Sequence, residues 1–358
     1  MTDHLHLNGV VLPAGDRRDL WMVDGRIRTE PVRDAQTLAT AVWVMPGLVD
    51  AHCHVGLSKQ GAVPDEVAEN QAITDRTAGA LLLRDAGSPA DTRWMDDRSD
   101  LPKIIRAGRH IARPKRYLRH YGEEVEPTEL VATVERQAAR GDGWVKLVGD
   151  WIDRDLGDLA PLWPPEVARA AIERAHELGC RVTAHVFGEQ AVAELVAAGI
   201  DGIEHGTGID DDLIALMAER QVALVPTMVQ LENFESYAKA GEGKFPAYAK
   251  HIRALYASRV ERFAAACEAG VPIYAGTDAG GFLPHGLIGR EIAGLAEFSS
   301  AEYALGAGSW RARRWLGHPD SLDEGAPADL VVFDDDPRAD LSALLAPRHV
   351  ILRGSVVR

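Results

Sequence analysis

The sequence predicts an α/β protein: a (β/α)₈ TIM barrel with a small composite β-sandwich domain formed by both termini. Three observations predict it. Short apolar runs alternate with helix-period segments through the middle of the 358-residue chain. This middle part has about the 250 residues that such a barrel usually needs. Strand-rich segments occupy both chain ends. The predicted domains are therefore residues 1–46 with 319–358 for the β domain, and residues 47–318 for the barrel.

Both chain ends are predicted to consist of short strands separated by tight turns. Gly9, Gly15 and Gly25 separate the N-terminal strands, and Gly354 lies between the last two, as expected for residues that accept turn conformations. The predicted terminal strands are residues 5–7, 10–12, 20–23, 26–29, 330–333, 349–352 and 355–357.

The middle of the chain alternates strands with helices. The predicted strands are residues 48–51, 80–84, 103–107, 144–148, 181–185, 202–204, 223–226 and 272–275. The predicted helices are residues 129–140, 165–178, 190–198, 211–220, 248–269, 287–298 and 309–316, and most of them end at a glycine. An open, doubly wound sheet is the alternative. Its nucleotide-binding form loses support because no GxGxxG follows the first strand and no P-loop occurs.

Charge and composition exclude several classes of protein. Asp and Glu number 54 against 39 Lys and Arg, a net charge of −15, which disfavours nucleic-acid binding. The 3 cysteines predict a reducing compartment without a disulfide framework. We see no signal peptide and no apolar run of the roughly 18 residues that a membrane span needs. We therefore expect a cytoplasmic protein with a small-molecule substrate and no nucleic-acid or membrane partner; a homo-oligomer is left open.

Five polar side chains follow predicted strands at their carboxyl ends. His52 and His54, two residues apart in an extended segment, point the same way. His185, His205 and Asp278 end the fifth, sixth and eighth strands. Barrel enzymes carry their catalytic groups at this end, and imidazole with carboxylate suits Zn²⁺ and similar ions. A single histidine here is more often structural, but five groups in matching positions predict a metal site.

Lys146 interrupts an otherwise apolar strand, Trp-Val-Lys-Leu-Val. Barrel strands are buried on both faces, where an unpaired ammonium is costly. One interpretation places Lys146 at the solvent end of the strand or pairs it with a carboxylate such as Asp150. The other is that Lys146 loses its charge or is converted into a metal ligand.

These motifs are similar to those of the amidohydrolase superfamily, in its imidazolonepropionase-like and Xaa-Pro dipeptidase-like branch. The similarity covers nearly the whole chain. It rests on PGLVDAHCH at 46–54, WVKLV at 144–148, TAH at 183–185, GIEHG at 202–206, GTDAGG at 276–281 and EGAPADLVVF at 324–333.

The resemblance implies a metal-dependent hydrolase that binds one or two divalent ions. Zinc is expected, with manganese or iron as alternatives. The implied ligands are His52, His54, Lys146, His185, His205 and Asp278. Lys146 would bridge two ions as an N6-carboxylated lysine, whereas single-metal members of the superfamily leave this lysine unmodified.

The reaction that follows is hydrolysis of an amide or cyclic amide C–N bond in a small molecule, such as a dipeptide or an N-acyl amino acid. A metal-activated hydroxide would attack, with Asp278 as the proton shuttle. One alternative is a deaminase of a ring amidine, but its usual His-x-x-Glu is not matched, since Glu189 lies one residue too far from His185. The other is a non-catalytic metal-binding barrel, which would be expected to have lost ligands.

Loops at the same face are expected to select the substrate. Seven basic residues between positions 103 and 119, Arg113 among them, form either a solvated segment or a clamp for a substrate carboxylate. Trp151 is a candidate pocket wall or core residue. His285 is a candidate substrate contact or an ordinary loop histidine. Residues 230–247 are a candidate lid.

Overall fold

The structure is a computed structural model that describes residues 4–358, and it combines β-sheets with α-helices. The strands of the N-terminal end are β1 (Leu5–Val11), β2 (Asp16–Val23), β3 (Arg26–Arg28) and β4 (Gln36–Pro46). Those of the middle are β5 (Leu48–Cys53), β6 (Leu57–Ser58), β7 (Gly61–Ala62), β8 (Ala80–Asp85), β9 (Lys103–Arg106), β10 (Ile111–Ala112), β11 (Glu123–Glu124), β12 (Trp144–Val148), β13 (Asp150–Asp153), β14 (Asp158–Pro161), β15 (Arg181–Val186), β16 (Gly202–His205) and β17 (Ala223–Val225). The C-terminal strands are β18 (Leu330–Phe333), β19 (His349–Leu352) and β20 (Ser355–Val356).

The helices lie between the strands of the middle part and after them. They are α1 (Asp65–Thr77), α2 (Leu130–Ala138), α3 (Pro165–Glu177), α4 (Glu189–Ala198), α5 (Asp211–Arg220), α6 (Met228–Leu231), α7 (Phe234–Glu242), α8 (Pro246–Glu268), α9 (Ile288–Leu295), α10 (Ala301–Ala307) and α11 (Trp310–Trp315). Local interactions define where these helices begin and end. The Asp210 side chain caps the start of α5 by accepting a hydrogen bond from the Leu213 amide. Gly199 ends α4 in the left-handed conformation.

Strands from both chain ends form one seven-stranded sheet in the order β20-β19-β18-β4-β1-β2-β3. β1 runs parallel to β4, and β18 pairs with β4 in antiparallel fashion. One face of this sheet has its own apolar core, which includes Leu7, Leu20, Ile27, Val44 and Leu330. Within residues 4–358 the terminal strands belong to this single sheet, so a sandwich of two sheets is not shown.

Parallel strands of the middle form a three-stranded sheet, β5-β8-β9, and a six-stranded sheet, β11-β10-β12-β15-β16-β17. Backbone bridges join Cys53 to Ala279 and Leu224 to Ile273, so residues 271–283 contact both sheets. The strand predicted at 272–275 is present only as this bridged segment. The α/β class is therefore confirmed, whereas one continuous closed barrel ladder is not shown.

The register of these sheets brings the carboxyl ends of the strands together. Val148 of β12 lies opposite His185 of β15, and Val186 lies opposite His205 of β16. β5, β8 and β12 are buried along their whole length, as expected for strands covered on both faces. A functional site made of strand ends is thus set in a rigid, buried frame.

The candidate lid at residues 230–247 is mainly helical. It contains the end of α6, all of α7 and the start of α8, and α7 and α8 pack against each other. Among the helices of residues 4–358, none has both the length and the apolar composition that crossing a membrane requires.

Candidate metal centre

Two histidines of β5 and its end meet the Asp278 carboxylate. His52 Nε2 lies 3.2 Å from both His54 Nε2 and Asp278 Oδ1, and His54 Nε2 lies 2.9 Å from Asp278 Oδ1. The ligand atoms of His52, His205 and Asp278 all lie within 4.8 Å of one another. Such a group of nitrogen and carboxylate donors can surround a divalent ion.

The remaining predicted histidine, His185, lies beside this group. His185 Nδ1 is 3.0 Å from His205 Nε2, and His205 Nδ1 is 2.7 Å from Thr227 Oγ1. His185 Nε2 is buried and has no hydrogen-bond partner among the described residues. His205 and Asp278 both adopt positive φ, of 69° and 57°, a strained conformation for these residues that is typical of functional sites.

Outer contacts fix which ring nitrogen faces the cluster. His54 Nδ1 donates to the Gly87 carbonyl over 2.7 Å, and His52 Nδ1 lies 2.7 Å from Glu204 Oε2. Because a carbonyl can only accept, Nδ1 of His54 carries a proton, and Nε2 of both rings faces the Asp278 carboxylate. Orientation of this kind is what metal-bound histidines usually have.

Glu204 is a functional residue that the sequence analysis did not assign. It is fully buried and accepts hydrogen bonds from Arg84 and Thr183 as well as facing His52. Burial alone would raise the pKa of Glu204, but Arg84, His52 and Lys146 hold it well below its ordinary value. The signal was present in the GIEHG motif, where an acidic residue lies inside a short apolar strand.

Lys146 lies entirely inside the protein. Its side chain is 0% exposed, and Nζ has no hydrogen-bond partner among the described residues. Burial lowers the pKa of Lys146 to about 8. The suggested pairing with Asp150 is wrong, because Asp150 accepts instead from the Phe187 and Gly188 amides. The interpretation that places Lys146 at a solvent-exposed strand end is also wrong.

A cavity of about 380 Å³ opens over the cluster, and His54, His185 and Asp278 form part of its wall. Aromatic residues make up half of the remaining wall: Tyr117, Tyr121, Trp151, Phe187, Tyr237, Phe245, Tyr248 and Phe282. Trp151 thus lies where the pocket-wall interpretation placed it. The candidate lid contributes Tyr237 and Phe245, together with the exposed Lys244 at the rim.

The structure does not bring Arg113 or His285 to this cavity. Arg113 Nη2 lies 3.3 Å from Glu126, and the His285 ring is buried with Nδ1 2.7 Å from Asp75. Both side chains have structural partners, and neither contributes to the wall of the cavity. Our expectation that they contact substrate is therefore corrected.

Two further residues, His110 and Glu189, can be compared with what the sequence indicated. His110 was not singled out, yet its buried ring lies 4.9 Å from that of His54 and 5.5 Å from that of Tyr117. Nothing in the spacing of the sequence marked it. Glu189, which lies one residue beyond the position that the deaminase motif requires, pairs with His251 at the start of α4, and its side chain is 58% exposed.

The fold and the site together describe an α/β protein with a cluster of candidate metal ligands at its strand ends, and comparison with known proteins assigns its family. Residues 159–357 match the model of the amidohydrolase family. An uncharacterized protein of Mycobacterium tuberculosis is 58% identical over 352 residues, which are 98% of this chain and 95% of that protein. The ochratoxinase of Aspergillus niger is 26% identical over 227 residues, 62% of this chain and 47% of that protein.

Solved structures of known proteins have the same fold. The crystal structure of a Xaa-Pro dipeptidase with bound methionine superposes with a TM-score of 0.82 at 23% identity, covering 99% of both chains. The structure of Aspergillus niger ochratoxinase superposes with a TM-score of 0.79 at 21% identity, covering 99% of this chain and 96% of that one. The chain belongs to the amidohydrolase family, as its motifs predicted, and the Xaa-Pro dipeptidase-like branch is consistent with these neighbours.

Proposed function

We propose that this protein is a metal-dependent amidohydrolase that cleaves the C–N bond of a small apolar amide, such as a dipeptide or an N-acyl amino acid. The observation that carries the proposal is the meeting of His52, His54, His205 and Asp278 at one end of an aromatic cavity. The names of two relatives, a Xaa-Pro dipeptidase and an ochratoxinase, are consistent with such a reaction.

The donor set fits a divalent cation. Two imidazoles present their Nε2 atoms to the Asp278 carboxylate, and His185 Nε2 is buried without a partner among residues 4–358. The side chains that would hold one or two ions are His52, His54, His185, His205 and Asp278. Nitrogen and carboxylate ligands favour zinc, with manganese or iron as alternatives. Bound there, the ion would lower the pKa of water and polarise the scissile carbonyl.

The protein's own groups would orient the reactants and move the proton. Asp278 reaches the cavity wall, so its carboxylate can accept the proton of the attacking water and deliver it to the leaving nitrogen. Trp151 and the lid aromatics would hold the apolar part of the substrate and exclude bulk water. Glu204 would keep His52 in its tautomer.

Lys146 is proposed to be carboxylated. After losing one proton, the neutral Nζ would attack CO₂, form the carbamate C–N bond and release a second proton. A buried unpaired cation would thereby be replaced with an anion able to act as a metal ligand. Native mass spectrometry at neutral pH should show an added mass of one CO₂ that disappears in Lys146→Met. An unmodified native mass, together with full metal content in Lys146→Met, would disprove the modification.

We also propose the closed eight-stranded barrel for residues 47–318 and the β domain for residues 1–46 with 319–358. The bridges from Cys53 and Leu224 to the segment after α8 support closure. The separate apolar core of the terminal sheet supports a distinct domain, although the second layer of a sandwich has no support.

The experiment that tests the function combines metal analysis with a substrate panel. Protein purified without chelator should contain one to two divalent ions per chain and should hydrolyse members of a panel of dipeptides, N-acyl amino acids and cyclic amides. Asp278→Asn should lower kcat by about 100-fold or more. A protein that binds no metal and cleaves no member when Zn²⁺ or Mn²⁺ is added would contradict the proposal.

A further inference from the structure

A second cavity shares Tyr117 as a wall residue with the aromatic one. Its volume is about 710 Å³, and we call it the basic cavity. Its wall consists of Arg109, Lys115, Tyr117, Arg119, His120, Gly122, Glu123, Glu124 and Arg154. We propose that the basic cavity binds a small molecule that carries a phosphate group or a similar multivalent oxyanion.

Six of the seven basic residues between positions 103 and 119 fall into two sets in the structure. The members of the first set form ion pairs with carboxylates. Arg106 pairs with Asp96 and Asp142, Arg113 pairs with Glu126, and Arg116 pairs with Asp153. The second set, which faces the basic cavity, is Arg109, Lys115 and Arg119. Among residues 4–358, none of this second set, nor Arg154, has a carboxylate oxygen within 4.0 Å.

Arg109 is the most enclosed of these cations. Its guanidinium donates to the main-chain carbonyls of Tyr121 and His120, over 2.8 and 3.3 Å, and meets no acidic side chain. Burial lowers the pKa of Arg109. A half-buried cation with no carboxylate in direct contact is poorly compensated, so a bound anion at this position would be stabilising.

The two acidic residues of the basic cavity do not neutralise it. Glu123 is hydrogen-bonded to Arg136 and Gln137, each over 2.6 Å, and Glu124 accepts from the Lys115 amide over 3.3 Å. Four cationic side chains therefore face two carboxylates, one of which already pairs with Arg136. This excess of positive charge is local, because the whole chain has a net charge of −15.

The chemistry of the wall favours a multivalent oxyanion over a monovalent ion. Arginine offers a planar fork that matches phosphate oxygens, and several converging cations gain more from a doubly charged group than from a carboxylate. The volume exceeds what inorganic phosphate needs, so an organic phosphate also fits. Because Tyr117 lines both cavities and its ring is 4.9 Å from that of Trp151, the ligand would contact the segment that borders the aromatic cavity.

Isothermal titration with inorganic phosphate, with acetate at matched ionic strength as the monovalent control, tests the site. Arg119 and Arg154 are exposed, so the double variant Arg119→Gln/Arg154→Gln should fold normally. We expect saturable phosphate binding to the unaltered protein, weaker binding of acetate, and at least a tenfold loss of phosphate affinity in the double variant. Arg169→Gln, which removes an exposed charge from α3, should bind phosphate as the unaltered protein does.

A second titration with O-phosphoserine distinguishes the source of the phosphate group. Tighter binding than inorganic phosphate, with the same loss in the double variant, indicates an organic phosphate ligand; equal binding indicates free phosphate. Phosphate affinity that is the same in the double variant and the unaltered protein would place the ion elsewhere, the metal centre included, and would overturn the proposal. Lack of saturable binding up to about 10 mM would overturn it as well.

Discussion

At the scale of single residues, hydrogen bonds to the outer ring nitrogens explain why the histidines can act as ligands. Gly87 O accepts a hydrogen bond from Nδ1 of His54, the Glu204 carboxylate lies 2.7 Å from Nδ1 of His52, and Thr227 Oγ1 faces Nδ1 of His205. These contacts orient the rings before any ion arrives. Their loss should therefore weaken metal binding more than it weakens the fold.

Thr227→Val isolates this effect, because valine keeps the shape of threonine and removes only the hydroxyl facing His205. Zinc affinity should fall about tenfold. The free energy of unfolding should fall by about 1 kcal/mol. Competition with a chelator measures the affinity, and urea denaturation measures the stability. Thr207→Val is the matched control, since Thr207 is also buried but bonds to the Phe187 carbonyl. Equal zinc affinity in both variants would show that Thr227 does not orient a ligand.

Lys244 is the residue on which preference for a substrate carboxylate should depend. It lies at the rim of an otherwise aromatic cavity. Lys244→Met should raise KM about tenfold for a substrate with a free carboxylate and leave its carboxamide analogue unchanged, because only the first interacts with the ammonium. Lys250→Met, an exposed lysine outside the cavity, should change neither KM value. An equal change in KM for both substrates would show that Lys244 does not select the carboxylate.

At the scale of elements, the sequence pattern predicted strands that are buried along their whole length and helices that bury one face. β12 and α5 match their predicted ranges because a continuous apolar run and a capped amphipathic segment are strong local signals. α1 was missed because its sequence, DEVAENQAITDRT, is largely polar and buries only small side chains such as Ala68 and Ala72, along with Asp75. Residues 272–275 form bridges rather than a strand, and Pro272 has no amide hydrogen to donate to a ladder.

Such local patterns could not predict contacts between side chains that lie far apart in the chain. The five candidate ligands could be predicted to lie together because the C-terminal ends of strands are equivalent positions, which a topology prediction already places side by side. His285 and Asp75 are 210 residues apart, and Arg116 and Asp153 are 37 apart, so their pairing depends on packing that local sequence does not encode. This is why the ligands, but not the arginine and histidine contacts, could be predicted.

His251 links three elements and should make stability depend on pH. It extends from α8 to Asp158 in β14, over 3.0 Å, and to Glu189 in α4, over 2.9 Å. The hydrogen bond to Glu189 raises the pKa of His251 to about 9, above the value of about 6.5 expected in the unfolded chain. The stabilisation is therefore complete below about pH 6.5 and is lost as pH rises toward 9.

The variant His251→Gln should remove this dependence. Between pH 6 and 9.5 the unaltered protein should lose about 1–2 kcal/mol more unfolding free energy than the variant does, a value reduced for the partial exposure of the ring. Urea denaturation at a series of pH values measures the difference. Parallel curves for the two proteins would show that the charged form of His251 does not stabilise the folded state.

At the scale of the whole molecule, charge is distributed unevenly. The chain has a net charge of −15, yet its buried centre contains unpaired cationic and neutral donors, and the basic cavity has an excess of positive charge. Acidic residues elsewhere on the surface do not prevent a small anion from binding at such a place, because screening limits exposed charges to about 10 Å. Small carboxylate or phosphate compounds are therefore compatible with an acidic protein.

The metal centre should also contribute to the stability of the whole molecule. Strand ends from both parallel sheets and the segment carrying Asp278 meet there, so an ion would bind the folded chain and not the unfolded one. At a free metal concentration about 1,000 times Kd the gain is about 4 kcal/mol. Chelation should lower Tm by roughly 5 °C or more. Differential scanning calorimetry measures this change. Zn²⁺ should restore Tm and Ca²⁺ should not, because calcium prefers all-oxygen ligands and this cluster is mainly imidazole. A Tm that chelation leaves unchanged would mean that no ion links these elements in the folded protein.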